Sequence, residues 1–192
     1  MYLMGFGDIG FLHISNNTRP IERLEDAAGL RVRVMENPIS IATSRALGMN
    51  PSTMTFGEVY TALQQGVVDG QQHVINVVRN MNFNEVQRYY SLTGDAFSSI
   101  AVIVSEAFFD SLPDDLKAVV EEGVRLFSIE QRRITKAQET ANLQELKDRG
   151  MQINEIAPEE LKRFIEATRE VRESNAARIA PELYKKILAY LE

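Results

Sequence analysis

The chain has 192 residues, of which 44% are hydrophobic and 25% charged, with a formal net charge of -6 at pH 7. That is the composition of an ordinary globular protein with enough length for one large domain or two small ones, and no segment approaches the roughly 18 consecutive apolar residues of a membrane span. The 21 Lys and Arg are spread along the chain, which argues against a nucleic-acid partner, and the absence of Cys removes disulfides, thiolate metal sites and a Cys nucleophile.

The opening Met1-Tyr2-Leu3-Met4-Gly5-Phe6 lacks the basic and apolar regions of a secretory signal. Leu30 to Val34 alternates apolar and basic residues and reads as a strand. Asn37-Pro38 then starts a helix, because Asn accepts orphan amides as N-cap and Pro fits the first helical position; Gly48 ends it. Thr55 with Glu58 has capping-box spacing and opens a helix to about Gly66. A short strand around Gly70 to Val74 follows, then helical residues from about Asn76 to Tyr89. Strand, helix, strand, helix predicts right-handed crossovers and a parallel sheet.

Ser98 to Ser105 is the most apolar, β-branched stretch and reads as a buried strand. From Leu112-Pro113-Asp114-Asp115 a helix starts with acids in its first turn and meets no breaker before Gly150, with Gly123 its one weak point. At 1.5 Å per residue it would be roughly 54 Å long. Met151 to Ile156 reads as a return strand, and Pro158 starts one or two terminal helices.

No catalytic constellation emerges. His13 and His73, the two histidines, have no metal-like spacing, and the acidic residues fall mostly on solvent-facing helical positions. Gly5, Gly7 and Gly10 imitate a dinucleotide fingerprint without a strand before them. In open α/β sheets ligands lie beyond the carboxyl ends of the strands, and those loops hold Arg33, Glu36, Asn37, Phe56 and His73.

The segments Gly29-Leu30-Arg31-Val32-Arg33-Val34-Met35-Glu36-Asn37-Pro38, Ala46-Leu47-Gly48 to Pro51, Phe56 to Gln64, Gly66-Val67-Val68-Asp69-Gly70-Gln71 and Glu85-Val86-Gln87-Arg88-Tyr89 form an ordered series. The series resembles the central signature of substrate-binding proteins of tripartite ATP-independent periplasmic (TRAP) transporters, the dicarboxylate-binding DctP type. The resemblance implies an α/β, two-lobed fold of the type II periplasmic binding class with a long lobe-spanning helix. It also implies capture of a small organic acid, delivery to membrane permease subunits, a periplasmic location, no cofactor and no catalysis.

Mapped onto that layout, residues 1–19 are an inter-lobe connecting strand, 20–90 the ligand-binding lobe and 91–112 crossover strands. Residues 113–149 are the connecting helix, and 150–192 a first-lobe remnant with terminal helices. The family's carboxylate-binding arginine maps onto Arg33, a choice the strand alone does not make over Arg31, which shares its face. A guanidinium suits the task because its planar fork matches two carboxylate oxygens.

Phe56 reads equally as a ligand-facing aromatic and as core, and Asn37 as a ligand contact and as a helix cap; Glu36 lies in the same loop. His73 stands where relatives carry Asn, and His13 where some carry a second Arg. Family members begin with a signal and an N-terminal α/β segment, so the chain is expected to be a fragment or truncated product whose strand 98–105 and long helix expose apolar surface. Two other classes stay open: a helical dimerisation module, and an enzyme using strand-end carboxylates.

Overall fold

The computed structural model describes residues 1–190. Six strands form one sheet in the order β3-β2-β4-β1-β5-β6: β1 (Tyr2–Asn16), β2 (Arg31–Val34), β3 (Asn50–Thr53), β4 (Gly70–His73), β5 (Tyr89–Val104) and β6 (Gln152–Glu155). The helices are α1 (Leu24–Ala27), α2 (Pro38–Ala46), α3 (Val59–Gln64), α4 (Ile75–Asn80), α5 (Glu106–Asp110), α6 (Asp114–Asp148), α7 (Pro158–Ala167), α8 (Arg169–Ile179) and α9 (Pro181–Ala189).

β2 is parallel to β3 and β4, as strands joined by helical crossovers must be. The sheet as a whole is mixed, correcting the parallel expectation, because β1 enters antiparallel between β4 and β5. Crossover logic applies only along the βα run, and β1 lies before that run in the chain. Gly70 makes the β1–β4 pairing possible: a Cβ there would collide with the Ser15 carbonyl oxygen and the Asn16 side chain.

Period-two alternation sends neighbouring residues of the short strands to opposite faces. Val32 and Val34 join Ile14, Leu47, Ile156 and Phe164 in one core under α1, α2 and α7. Val59, Leu63, Val78, Phe83, Tyr90 and Leu146 form a second core on the opposite face, under α3, α4 and the end of α6.

Local signals set the helix starts. Asn37 Oδ1 accepts the Ser40 amide at 2.8 Å, and Glu58 Oε2 accepts the Thr55 amide at 3.0 Å, completing the capping box. α6 runs unbroken through Gly123 over 35 residues, about 52 Å at 1.5 Å per residue.

The helix expected over 76–89 is shorter. α4 stops at Asn80, Asn82 takes the left-handed conformation with φ 52°, a 3-10 turn spans Phe83–Glu85, and Tyr89 already belongs to β5. Asn80, Asn82 and Asn84 explain the break, since Asn tolerates positive φ and competes for backbone hydrogen bonds.

Ser98–Ser105 is also corrected. Up to Val104 it forms the distal part of β5, but Ile103 is 58% exposed and Ile100 45%. There β1 and β5 run on as a ribbon on which α6 packs, through Val124 and Ser128 at Gly5 and Gln131 at Gly7, leaving Leu3, Phe6, Ile100 and Ile103 exposed. A β-branched run encodes strand; burial depends on what covers it. Among the described residues three helices follow β6, two of them opened by Pro158 and Pro181.

Candidate functional site

Arg33 sits at the carboxyl end of β2, opposite Gln71 of β4, and is only 5% exposed. Val32 and Val34 point into the first core, so alternation turns Arg33 toward the other face. One nitrogen, Nη2, donates to the Met54 carbonyl at 3.1 Å, while Nε and Nη1 are buried with no partner. Desolvation lowers the pKa of this guanidinium.

Arg31, two residues earlier, is exposed and fully engaged. It forks onto Asp69, at 2.5 Å to Oδ1, and donates to the carbonyls of Gly66 and Val67 at 3.0 Å each. Buried, unpaired donors on a cation cost stability unless an acceptor arrives. Arg31 has spent its donors; Arg33 has not.

His73 ends β4 and lies opposite His13 of β1. The Phe56 ring, 40% exposed, stands 5.5 Å from the His73 ring. His13 meets Tyr90 edge to face at 5.5 Å, and Tyr90 donates its hydroxyl to the His73 carbonyl at 3.2 Å. Burial pushes both imidazoles down to about 4, and the charge of Arg33 adds to the effect at His73. Strand pairing and side-chain packing therefore bring Arg33, Phe56, His73 and His13 onto one face of the sheet.

Asn37 and Glu36 are placed differently. Asn37 is taken up locally, its Oδ1 accepting from the Ser40 amide and its Nδ2 donating to Ser40 Oγ at 2.9 Å. Glu36 is exposed in the loop after β2 and forms no ion pair among the described residues. Three neighbours escaped the sequence reading: Gln71, Ser15 and Tyr90, all fully buried. Gln71 Nε2 donates to Ser15 Oγ at 3.3 Å and its Oε1 is unpaired. The parity Arg33 shares with its partner Gln71, and Gln71 with His73, was the available signal.

The opposite face carries a groove of about 420 Å³ between α2, α8 and α9, with Ile39, Val171, Leu183 and Ile187 on its walls and Asp95 among the residues lining it, and none of the Arg33 cluster takes part in it. No group of three or more His, Asp or Glu suited to a metal exists among the described residues. Nor, among them, is any helix long and apolar enough to cross a membrane.

Comparison with known proteins places the chain in a family. The chain is 33% identical over 187 residues to the C4-dicarboxylate-binding periplasmic protein DctP of Rhodobacter capsulatus, covering 97% of this chain and 56% of that one. A TRAP periplasmic solute-binding protein from Ochrobactrum anthropi superposes with a TM-score of 0.88 at 35% identity, over 97% of this chain and 58% of that one. Another, from Polaromonas sp. JS666 with bound D-erythronate, gives a TM-score of 0.86 at 34% identity, over 94% of this chain and 59% of that one. The chain spans about half the length of the curated relatives it matches. Residues 1–178 match the family model for bacterial extracellular solute-binding proteins, family 7 (DctP), and the chain belongs to that family.

Proposed function

We propose that the chain is the acid-binding part of an extracytoplasmic solute-binding protein, which captures a small organic acid and hands it to a TRAP-type membrane permease in the periplasm. The single observation that carries this reading is Arg33, a cation 5% exposed with two buried donors unpaired. A carboxylate supplies the missing charge and two acceptor oxygens in the geometry of the fork. Phe56 offers a flat apolar wall beside the acid, and His73 and His13 a polar one.

On this reading residues 20–90 are the ligand-binding lobe, the strands of 1–19 and 91–112 cross between lobes, and 113–149 braces them; the acid is held by closure of the lobes and released unchanged. The relatives support an acid as ligand: one is named for C4-dicarboxylates, and another was solved with D-erythronate. Arg33→Lys keeps the charge but loses the fork. Calorimetric titration with small carboxylates is expected to show affinity falling at least tenfold in that variant; affinity within twofold of the unaltered chain refutes the assignment.

A further inference from the structure

β5 loses one of its two neighbours where it leaves the sheet. β6 pairs with it only from Tyr89 to Leu92, whereas β1 accompanies it to Val104. Among the described residues no strand lies along its other edge from Phe97 onward. An antiparallel strand turns the N–H and C=O of every second residue to each side, so this edge presents a row of donors and acceptors with no partner strand. After Val104 the chain turns back onto β1, where Phe109 of α5 meets the Tyr2 ring edge to face at 5.7 Å and Asp110 accepts from the Tyr2 hydroxyl at 3.2 Å.

The two outer edges of the ribbon differ. On β1 the register shifts leave Met4 and Ile9 without partners in β5, Gly5, Gly7 and Gly10 interrupt the strand, and Asp8 carries a charge paired with Arg132. Bulges and charges of this kind are how natural sheets keep an edge from pairing. β5 has none of them: residues 97–103 pair consecutively with β1 and contain no charge, Pro or Gly. High β-propensity without charge is the signature of a segment that pairs with its own copy.

Alternation divides the segment between two faces. Ile100 lies opposite Gly7, which approaches Gln131 of α6, so the even-numbered residues share the face on which α6 packs. The odd-numbered Phe97, Ser99, Ala101 and Ile103 are on the other face, and all four are exposed, Phe97 at 53%.

We propose that β5 pairs with β5 of a second copy, antiparallel and in a register centred on Ile100, giving a dimer joined through a four-stranded ribbon in the order β1-β5-β5-β1. Residues opposite each other across antiparallel strands share a face, so a twofold pairing must set one residue against its own copy. Centring on Ile100 places Phe97 opposite Ile103 of the second copy, and Ser99 opposite Ala101. The two most exposed side chains of the segment then cover each other. The contact brings no like charges together, although each chain carries a formal charge of -6. Growth stops at two, because both outer edges of the joined ribbon are the interrupted, charged edges of β1.

Sedimentation of the 192-residue chain with two charge variants is the test. Ser99→Lys with Ala101→Lys places like charges directly opposite each other at two positions, and is expected to raise the dimer dissociation constant about tenfold. Ser99→Glu with Ala101→Glu should do the same. An equimolar mixture of the two variants should dimerise about as tightly as the unaltered chain, a rescue that variants with a lost fold would not give. A chain that stays monomeric at every concentration, oligomers that grow beyond two, or either variant dimerising alone as well as the unaltered chain overturns the proposal; so does a mixture that stays monomeric. Amide hydrogen exchange of the unaltered chain gives a second reading that needs no substitution. Exchange within 97–103 should slow as concentration rises into the dimer range, and unchanged exchange there overturns the pairing.

Discussion

Gln131 of α6 holds both backbone groups of Asp8 in β1: its Nε2 donates to the Asp8 carbonyl at 2.6 Å, and its Oε1 accepts the Asp8 amide at 2.7 Å. The pairing of β1 with β5 shifts register between Asp8 and Gly10, so this backbone lies at an irregularity of the ladder. The side chain of a distant helix completes it, and Gly7 lets that helix approach, since a Cβ there would strike Gln131. Gln131→Leu, which keeps the bulk and removes the polar end, is expected to cost about 1 kcal/mol by leaving the part-buried Asp8 amide unpaired, while Thr135 Oγ1 still donates to the Asp8 carbonyl at 3.2 Å. Urea denaturation measures it; an unchanged midpoint would mean the bulge is satisfied without the clamp.

Arg33 gives a prediction opposite in sign. Replacing it with Met fills similar space without a buried charge or unpaired donors, so the unliganded chain should gain about 1–3 kcal/mol while losing acid binding. Thermal melting without ligand is the test. An arginine retained for structure would produce a fall in melting temperature instead.

Two desolvated histidines and a desolvated aspartate pull the pH dependence of stability in opposite directions. His13 and His73 titrate at about 4 in the folded chain against an ordinary 6.5, so the unfolded chain binds protons first as pH falls. Their contribution is complete above about 6.5 and is lost between there and about 4, by about 3 kcal/mol per ring at most. Asp95 is raised by desolvation from 3.8 to about 6, so its cost is absent below about 4 and complete above about 6. Asp95→Asn should therefore raise stability at pH 8 and leave it unchanged at pH 4, as followed by urea melts at the two pH values. Equal effects at both would remove ionisation as the cause.

The apolar side chains on the ribbon and α6 predict self-association. Val119 is 65% exposed, and Ile103, Leu116, Leu126 and Ile129 are also open. Ile103→Thr with Val119→Gln is expected to raise the soluble monomer fraction in sedimentation without lowering the melting temperature. A discrete dimer abolished by the same pair would instead favour a dimerisation role for α6.

How far the sequence could be read depended on how local each signal was. The Asn37-Pro38 start, the Thr55–Glu58 box and the course of α6 rest on neighbours within a turn or two, and each was legible. The choice of Arg33 over Arg31 was not. Both residues have the same parity on β2, and their difference arises from Asp69 pairing with one, while the other is buried with only the Met54 carbonyl as acceptor. Gln71 was invisible for a similar reason: its burial is completed by Ser15 of β1, a strand from a distant part of the chain. The strand-end loops supplied His73 as a candidate and the likeness to known binding proteins supplied His13, but their tautomers depend on two backbone amides that only the fold brings to the rings.

β1 has a consequence for biosynthesis. It leaves the ribosome before both of its neighbours, since β4 begins at Gly70 and β5 at Tyr89. Until those segments are made, Phe6, Ile9, Phe11 and Ile14 lack the two strands with which β1 pairs in the fold, and an unpaired apolar strand is what aggregates of nascent chains are built from. A factor that shields emerging strands should therefore raise the yield of this protein more than one that acts on completed chains. Slowing translation downstream of β1 should lower that yield.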